Sequence, residues 1–414
     1  MNVDLIRSVD KWLGVPACFL LTVVNKLTLK FRNSPERLSI DGSYPPKILF
    51  IELSEMGSAI VAYPAMRYVL RKFPNARLYF LTFSQNRFSV EILNVIPPNQ
   101  IITIDMDHSL GFIHSTFMAL KRIRSERMDM VFDLELFSRF SALISGLSDA
   151  QVRVGYGKYH EEGLYRGGVM THKVFYNCHQ HMAKNFLALV KAAERGGEYP
   201  LVKEAITEED IVRPSYEAPA GALNDLRQRL ANECPTVGKA APLILLNPSA
   251  GRLLPIRAWP LVNYVALTRK LIEQFDAAII LLGLADAREE TSEVCVQVDS
   301  DRCVDLAGRT SFNDLMNLFC LADVLVTADS GTAHFAALTS VERFILFGPE
   351  TPVLYRPFGS RTHCFCAGLS CSPCLSAYNH RKSSCKDPKC MEAITVAEVF
   401  GAVSAALNRA VKGK

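Results

Sequence analysis

The sequence predicts an α/β protein with two Rossmann-like, doubly wound domains facing each other across a cleft and an apolar helix ahead of them. Three observations predict it. From Pro45 onward, short apolar β runs alternate with segments of helical spacing, the pattern of a parallel sheet covered by helices on both faces. The alternation stops over residues 207–240, an acidic and then Pro-, Ala- and Gly-rich stretch, and restarts after it. The chain has 414 residues, enough for two domains of ordinary size.

The expected organisation is a membrane-interface helix and linker (1–44), a first domain (45–206), a connection (207–240), a second domain (241–395) and a C-terminal helix (396–414). In the first domain, 47–53, 76–83 and 129–136 read as β runs, and 59–73 and 109–124 as helices. In the second, 242–249, 277–284, 323–330 and 342–349 read as β runs, with a helix from Trp259 to Phe275.

Composition fits a globular chain, with 49% hydrophobic and 21% charged residues. A net charge of +4 is too small to point to a nucleic-acid partner. Twelve cysteines in a long chain without a secretory signal fit a reducing, cytoplasmic compartment. The run "WLGVPACFLLTVV" (12–24) is 13 residues long, short of the roughly 20 that span a bilayer. With the basic "KLTLKFR" after it, the run fits a helix lying in a membrane interface. The alternative is an ordinary helix packed on the body. Cys18 within it is either an acylation site or a buried thiol.

Four strand-end loops carry the chemistry. "LLNPSAGRLLPIRAWP" (245–260) offers Ser249, backbone N–H groups and the Arg257 guanidinium, a set suited to a diphosphate; a plain loop with a solvated Arg is the alternative. "LVTADSGTAHFAAL" (325–338) runs from a strand through Asp329, Ser330, Gly331 and Thr332 into a helix carrying His334. Such a helix start can hold an anion, or Asp329 or Ser330 simply caps it. "LFGPETPVLYRP" (346–357) adds a third polar loop on the same edge, as the crevice rule for open α/β sheets requires. "LFIELSEMGSAI" (49–60) is the fourth, with Glu55 and Ser58 in the turn after the first strand. Neither a G-x-G-x-x-G fingerprint nor a G-x-x-x-x-G-K-[ST] loop occurs, which argues against a standard NAD enzyme and a P-loop nucleotidase.

Together with "LAGRTSFNDL" (306–315), these stretches resemble the heptosyltransferases of glycosyltransferase family 9, in the family's order, from Lys47 to Phe400. The resemblance implies a GT-B fold and an inverting glycosyltransferase using an ADP-activated heptose or related nucleotide sugar. It implies no catalytic metal and a lipid-linked saccharide or other glycolipid acceptor, such as the inner core of lipopolysaccharide, at the cytoplasmic face of the inner membrane. It assigns Ser249 and Arg257 to the diphosphate, Asp286 to the ribose, and Asp329, Ser330, Gly331, Thr332 and His334 to the donor signature. Gly57, Arg139, Arg153 and Tyr156 fall on the acceptor side, where "RVGYGKYHEEGLYRGG" (153–168) is basic and aromatic.

One departure matters. Where the family has Gly-Asp, with the Asp taken as general base, this chain has Gly57-Ser58. A serine of ordinary acidity is no base near neutral pH. Inverting transfer needs a carboxylate within reach of the acceptor hydroxyl. Glu55 is the first candidate and Glu135 the second, with Ser58 capping the helix or touching the acceptor. A nucleotide-sugar binder that has lost its base and a GT-B-like sugar-nucleotide epimerase are the competing readings. Finally, the Cys-rich stretch 363–390 carries Cys371, Cys374, Cys385 and Cys390 at a spacing that four thiolates of a structural zinc could use. Reduced thiols or local disulfides are the alternatives, and no cofactor is required for catalysis.

Overall fold

The computed structural model describes all residues except 1–9, 30–44, 137, 158–164, 195–201, 234, 236–241, 252–253, 380 and 413–414. The basic end of the N-terminal stretch (30–32) and residues 158–164 of the acceptor segment lie outside the described residues.

The chain divides into two units, Met1–Val212 and Arg213–Lys414. The first holds strands β1 (Lys47–Ile51), β2 (Arg77–Phe83), β3 (Ile101–Ile104), β4 (Met130–Asp133), β5 (Val152–Tyr156) and β6 (His172–Val174). They form one sheet in the order β3-β2-β1-β4-β5-β6, every pair parallel. The second holds β7 (Leu243–Asn247), β8 (Ala278–Leu281), β9 (Cys303–Asp305), β10 (Val324–Ala328), β11 (Glu342–Phe347) and β12 (Thr362–Cys366). Its all-parallel order, β12-β11-β10-β7-β8-β9, is the same topology. In both units the first and fourth strands are neighbours, so the strand order reverses there and a crevice opens at their carboxyl ends.

The apolar runs explain the layers. Leu49 and Ile51 pack with Ala119 and Ile123 of the helix Ser109–Glu126, while Phe50 stacks on Phe132 at 5.2 Å. In the second unit, Ile244 and Leu246 share a core with Leu267 and Leu271 of the helix Leu261–Phe275. Each such side chain contributes roughly 1.5–3 kcal/mol by leaving water.

Several boundaries differ from the sequence reading. The helix expected over 59–73 is two, Met56–Val61 and Tyr63–Lys72, with Pro64 in the first turn of the second. Proline has no N–H to continue the first helix. The division at 212/213 falls inside the expected connection. The helix Ala222–Glu233 beyond it belongs to the second unit, where Arg229 pairs with Asp314 and Glu233 with Arg309. The C-terminal helix, Val396–Lys412, is no separate tail: Val399, Val403 and Leu407 are buried in the second core.

The N-terminal helix, Gly14–Leu29, is likewise part of the first unit. It lies against the helix Arg139–Leu147, and Asp10 pairs with Arg139 at 3.1 Å. Thr22 Oγ1 accepts from Gly168 N at 2.7 Å. Close approach requires small residues here: a Cβ on Gly146 would fall 2.7 Å from Leu21 Cδ2. Cys18 is fully buried, and burial raises its thiol to about 11. The opposite face stays open, with Trp12, Phe19, Leu20, Val24 and Leu27 each more than half exposed. Among the described residues, no helix is long and apolar enough to cross a membrane.

Candidate active site

In the second unit, the crevice between the ends of β7 and β10 is laced by side chains. Asn247, last in β7, donates through Nδ2 to Thr327 Oγ1 at 3.2 Å and to Thr332 Oγ1 at 3.1 Å. Its carbonyl accepts from Tyr264 Oη at 3.1 Å, which ties the strand end to the helix Leu261–Phe275. Trp259, edge-on to Tyr264, is sealed in the core and donates to Ile394 O at 2.9 Å.

The loop from this rigid base turns at Gly251, where φ is +73°, a conformation open to glycine at no cost. Ser249 Oγ accepts from Gly251 N at 3.1 Å. Arg257 then reaches Asp329 Oδ2 at 3.3 Å and Ala250 O at 3.4 Å. Its Nε is buried and has no hydrogen-bond partner among the described residues. Burial pushes the Asp329 carboxyl upward, and the Arg257 guanidinium pulls it back.

Across β10, the helix Gly331–Ala336 starts without a side-chain cap. The Ser330 hydroxyl lies 3.3 Å from Thr327 Oγ1 instead. A Cβ added at Gly251 or Gly331 would meet nothing within 4 Å, so space is open before both. His334 is buried one turn into the helix, and Asp286 is exposed in the turn Ala285–Ala287 after β8. At the end of β11, buried Glu350 accepts from Arg381 Nε at 2.7 Å. The arrangement offers hydroxyls and a half-engaged guanidinium to an anion, with a carboxylate on the neighbouring strand end.

The corresponding crevice in the first unit gathers three buried carboxylates. Glu135 Oε1 accepts from Leu53 N at 2.8 Å, Ser54 N at 2.9 Å and Ser54 Oγ at 2.7 Å, which fixes the loop after β1. Asp133 is sealed from solvent and paired with Arg166, and Ser141 Oγ bonds it at 3.1 Å. Burial lifts Asp133 to about 6 against the pull of Arg166. Glu52, just past β1, is buried. Burial, then the charges of Glu135 and Asp133, raise its carboxyl well above the usual range. Tyr156, last in β5, packs edge-on to Tyr176 at 5.9 Å, and its hydroxyl is buried without a hydrogen-bond partner among the described residues.

The structure thus brings Ser58, Glu135 and Tyr156 to one strand-end crevice and gathers Ser249, Arg257, Asp329, Ser330, Gly331, Thr332 and His334 at the other. Gly57 is buried in the first turn of Met56–Val61, and Glu55 is its half-buried N-cap residue, making no side-chain capping bond. Two expected acceptor residues are engaged elsewhere. Arg139 is buried, donating to Tyr165 O at 2.8 Å and to Asp10, and so anchors the N-terminal helix. Arg153 sits near the amino end of β5 and donates to Val169 O at 2.8 Å and to Ala150 O. Glu52, Asp133 and Arg166 escape the sequence reading. Their signal is present as charges inside or just after apolar runs, Glu52 in 47–53 and Asp133 in 129–136.

The zinc expectation is corrected. Among the described residues, no three His, Cys, Asp or Glu side chains are placed to hold a metal. Of these thiols, Cys390 is buried against Gly348, Cys374 faces Ser383 Oγ at 3.4 Å, and Cys371 is exposed. The stretch is also not all loop, since Cys364 and Cys366 lie on β12. All described cysteines are free thiols.

Two Rossmann units with polar strand-end crevices at equivalent places define a two-domain α/β architecture of the kind found in nucleotide-sugar enzymes. The family model of glycosyltransferase family 9 (heptosyltransferase) matches residues 117–384, and the chain belongs to that family. The lipooligosaccharide heptosyltransferase 2 of Haemophilus influenzae is 27% identical over 186 residues, 44% of this chain and 50% of that protein. The chain therefore spans half the length of that relative. Among solved structures, an ADP-heptose lipopolysaccharide heptosyltransferase II of Escherichia coli superposes with a TM-score of 0.66 at 20% identity, covering 88% of this chain and 99% of that one. The Escherichia coli heptosyltransferase WaaC with ADP gives 0.61 at 14% identity, covering 87% and 99%. These structures share the fold.

Proposed function

We propose that this chain is an inverting glycosyltransferase that moves a heptose or related sugar from an ADP-linked donor to a lipid-linked saccharide, without a metal. The observation that carries the reading is the β7/β10 crevice, where the half-engaged Arg257 faces open space beside Gly251 and Gly331. A guanidinium so placed suits the leaving diphosphate, whose charge grows as the anomeric bond breaks. Ser249, Ser330 and Thr332 would hold the same group, Asp286 the ribose, and Asp329 would orient Arg257. Membership in the heptosyltransferase family supports the sugar class, and the ADP held by a protein of the same fold supports the nucleotide. The acceptor hydroxyl would lie at Ser58, over the β1/β4 crevice.

The reading places this work at the cytoplasmic face of the inner membrane. The open face of Gly14–Leu29 supports it, with Trp12 under the Lys11 ammonium at 5.6 Å and Lys26 in the last turn. The helix Ser109–Glu126 of the same unit adds exposed Leu110, Ile113 and Phe117, with Lys121 and Arg124 further along. Calorimetric titration of ADP into the protein tests the donor side: saturable binding that Arg257→Ala weakens is expected, and no binding would overturn the nucleotide assignment.

A further inference from the structure

We propose that the helix Gly14–Leu29 positions the acceptor crevice of the first unit, so that a lipid surface engaging its open face also tightens binding of the acceptor. The link is the strap 165–168, which contacts the helix on one side and the crevice on the other. The acceptor side of the proposal rests on the transferase reading above; the link itself rests on hydrogen bonds.

The strap is fastened to the helix at both ends. Gly168 N donates to Thr22 Oγ1 at 2.7 Å, and that hydroxyl donates to Cys18 O at 2.6 Å. At Gly167 φ is +74°, and a Cβ there would fall 2.7 Å from Cys18 O. Glycine alone lets the strap lie so close. Tyr165 O accepts from Arg139 Nε at 2.8 Å, and Arg139 is in turn paired with Asp10, just ahead of the helix, at 3.1 Å.

Between these ties, the Arg166 side chain reaches the crevice. It donates to Asp133 at the end of β4, to Ser141 Oγ, and to the carbonyls of Glu135, Ser138 and Tyr156. Glu135 then accepts from Leu53 N and Ser54 N on its carboxylate. A continuous path of hydrogen bonds therefore runs from Thr22 through the strap, Arg166 and Glu135 to the loop after β1, which leads into Ser58.

The path makes the two faces of the helix interdependent. A helix of 16 residues is marginal in water by itself, so helix and strap order each other. An anionic lipid surface suits the outer face, where Phe19, Leu20 and Leu27 are more than half exposed and Lys11 and Lys26 are also exposed. A ligand that binds only the ordered helix favours the seated strap. An acceptor that needs the crevice held by Arg166 then binds more tightly when lipid is present.

The experiment is hydrogen exchange of the full chain with and without vesicles of phosphatidylethanolamine and phosphatidylglycerol, beside turnover of ADP-heptose with a delipidated inner-core oligosaccharide. Without its lipid, the acceptor cannot be concentrated on the vesicles. In wild type, vesicles are expected to slow exchange in peptides covering 165–168 and 52–58. They are expected to lower the acceptor KM about fivefold or more, with kcat and ADP affinity unchanged. Thr22→Val keeps the shape of the side chain but offers no oxygen to Gly168 N. It is expected to speed exchange in both peptides and to raise the acceptor KM, and it should bind vesicles without the KM response. Phe19→Glu is expected to lose the vesicle response. Wild-type exchange over 52–58 unmoved by vesicles would overturn the coupling, whatever the variants do, and this comparison decides even where Thr22→Val does not fold. A helix that only stabilises the unit would give a Thr22→Val protein with a lower melting temperature and an unmoved acceptor KM, which would also overturn it. A wild type inactive with this donor would overturn the transferase reading, and the exchange measurement would still decide the coupling.

Discussion

Arg166 and Asp133 form an ion pair inside the carboxyl end of β4, both sealed from solvent, with Ser141 Oγ bonded to each. Arg166 also donates to Ser138 O at 2.9 Å and Glu135 O at 3.0 Å. One guanidinium therefore holds together the loop on which the first crevice is built. Its removal leaves a buried carboxylate without its counter-charge. Arg166→Met is expected to destabilise the protein by about 3–5 kcal/mol, read by urea denaturation at pH 7. A loss under about 1 kcal/mol would contradict the role given to the pair.

The same carboxyl predicts a pH dependence. Asp133 titrates at about 6 in the fold, against 3.8 for an ordinary Asp. The fold binds this proton more tightly than the unfolded chain does. Its contribution is therefore complete below about pH 4 and is lost as pH rises from about 4 to about 6. Relative to Asp133→Asn, wild type should lose on the order of 2 kcal/mol across that window, measured by denaturation at pH 4 and pH 7. A flat difference would show that Arg166 offsets the burial in full.

Arg257 is predicted to govern nucleotide affinity. It also pairs with the buried Asp329 at 3.3 Å, so its removal carries a stability cost of its own. A charge-assisted contact to phosphate is worth roughly 1.5–3 kcal/mol. Arg257→Ala should weaken ADP binding about 10- to 100-fold in calorimetry carried out below the variant's own melting temperature.

The open faces of the two helices predict binding to anionic vesicles. Burying Phe19 or Leu20 in an interface is worth roughly 1.5–3 kcal/mol each. Phe19→Glu and Leu20→Glu should each reduce co-sedimentation at least tenfold, and raised salt should weaken it through Lys11 and Lys26. Co-sedimentation unaffected by both substitutions would remove the Gly14–Leu29 helix from the membrane account.

How far the sequence was legible follows from burial. The central strands β1, β2, β4, β7, β8, β10 and β11 stood out because both faces are covered and their runs are apolar throughout. The edge strands β3, β6, β9 and β12 did not, since they are short and, in β6 and β12, partly exposed. The residues of the β7/β10 crevice were legible as strand-end loops because each loop keeps its polar groups in one local stretch. The tie of Arg139 to Asp10 was not legible because the two are 129 residues apart in sequence. Glu52 was hidden for the opposite reason: it sits among Phe50, Ile51 and Leu53 and passes for part of the strand.

The most direct test of transfer is mass and anomeric analysis of the inner-core acceptor after incubation with ADP-heptose and EDTA. The account predicts one added heptose with inverted anomeric configuration and one ADP released per transfer. Release of ADP with no glycoside formed, a retained configuration, or a strict need for a divalent metal would contradict it.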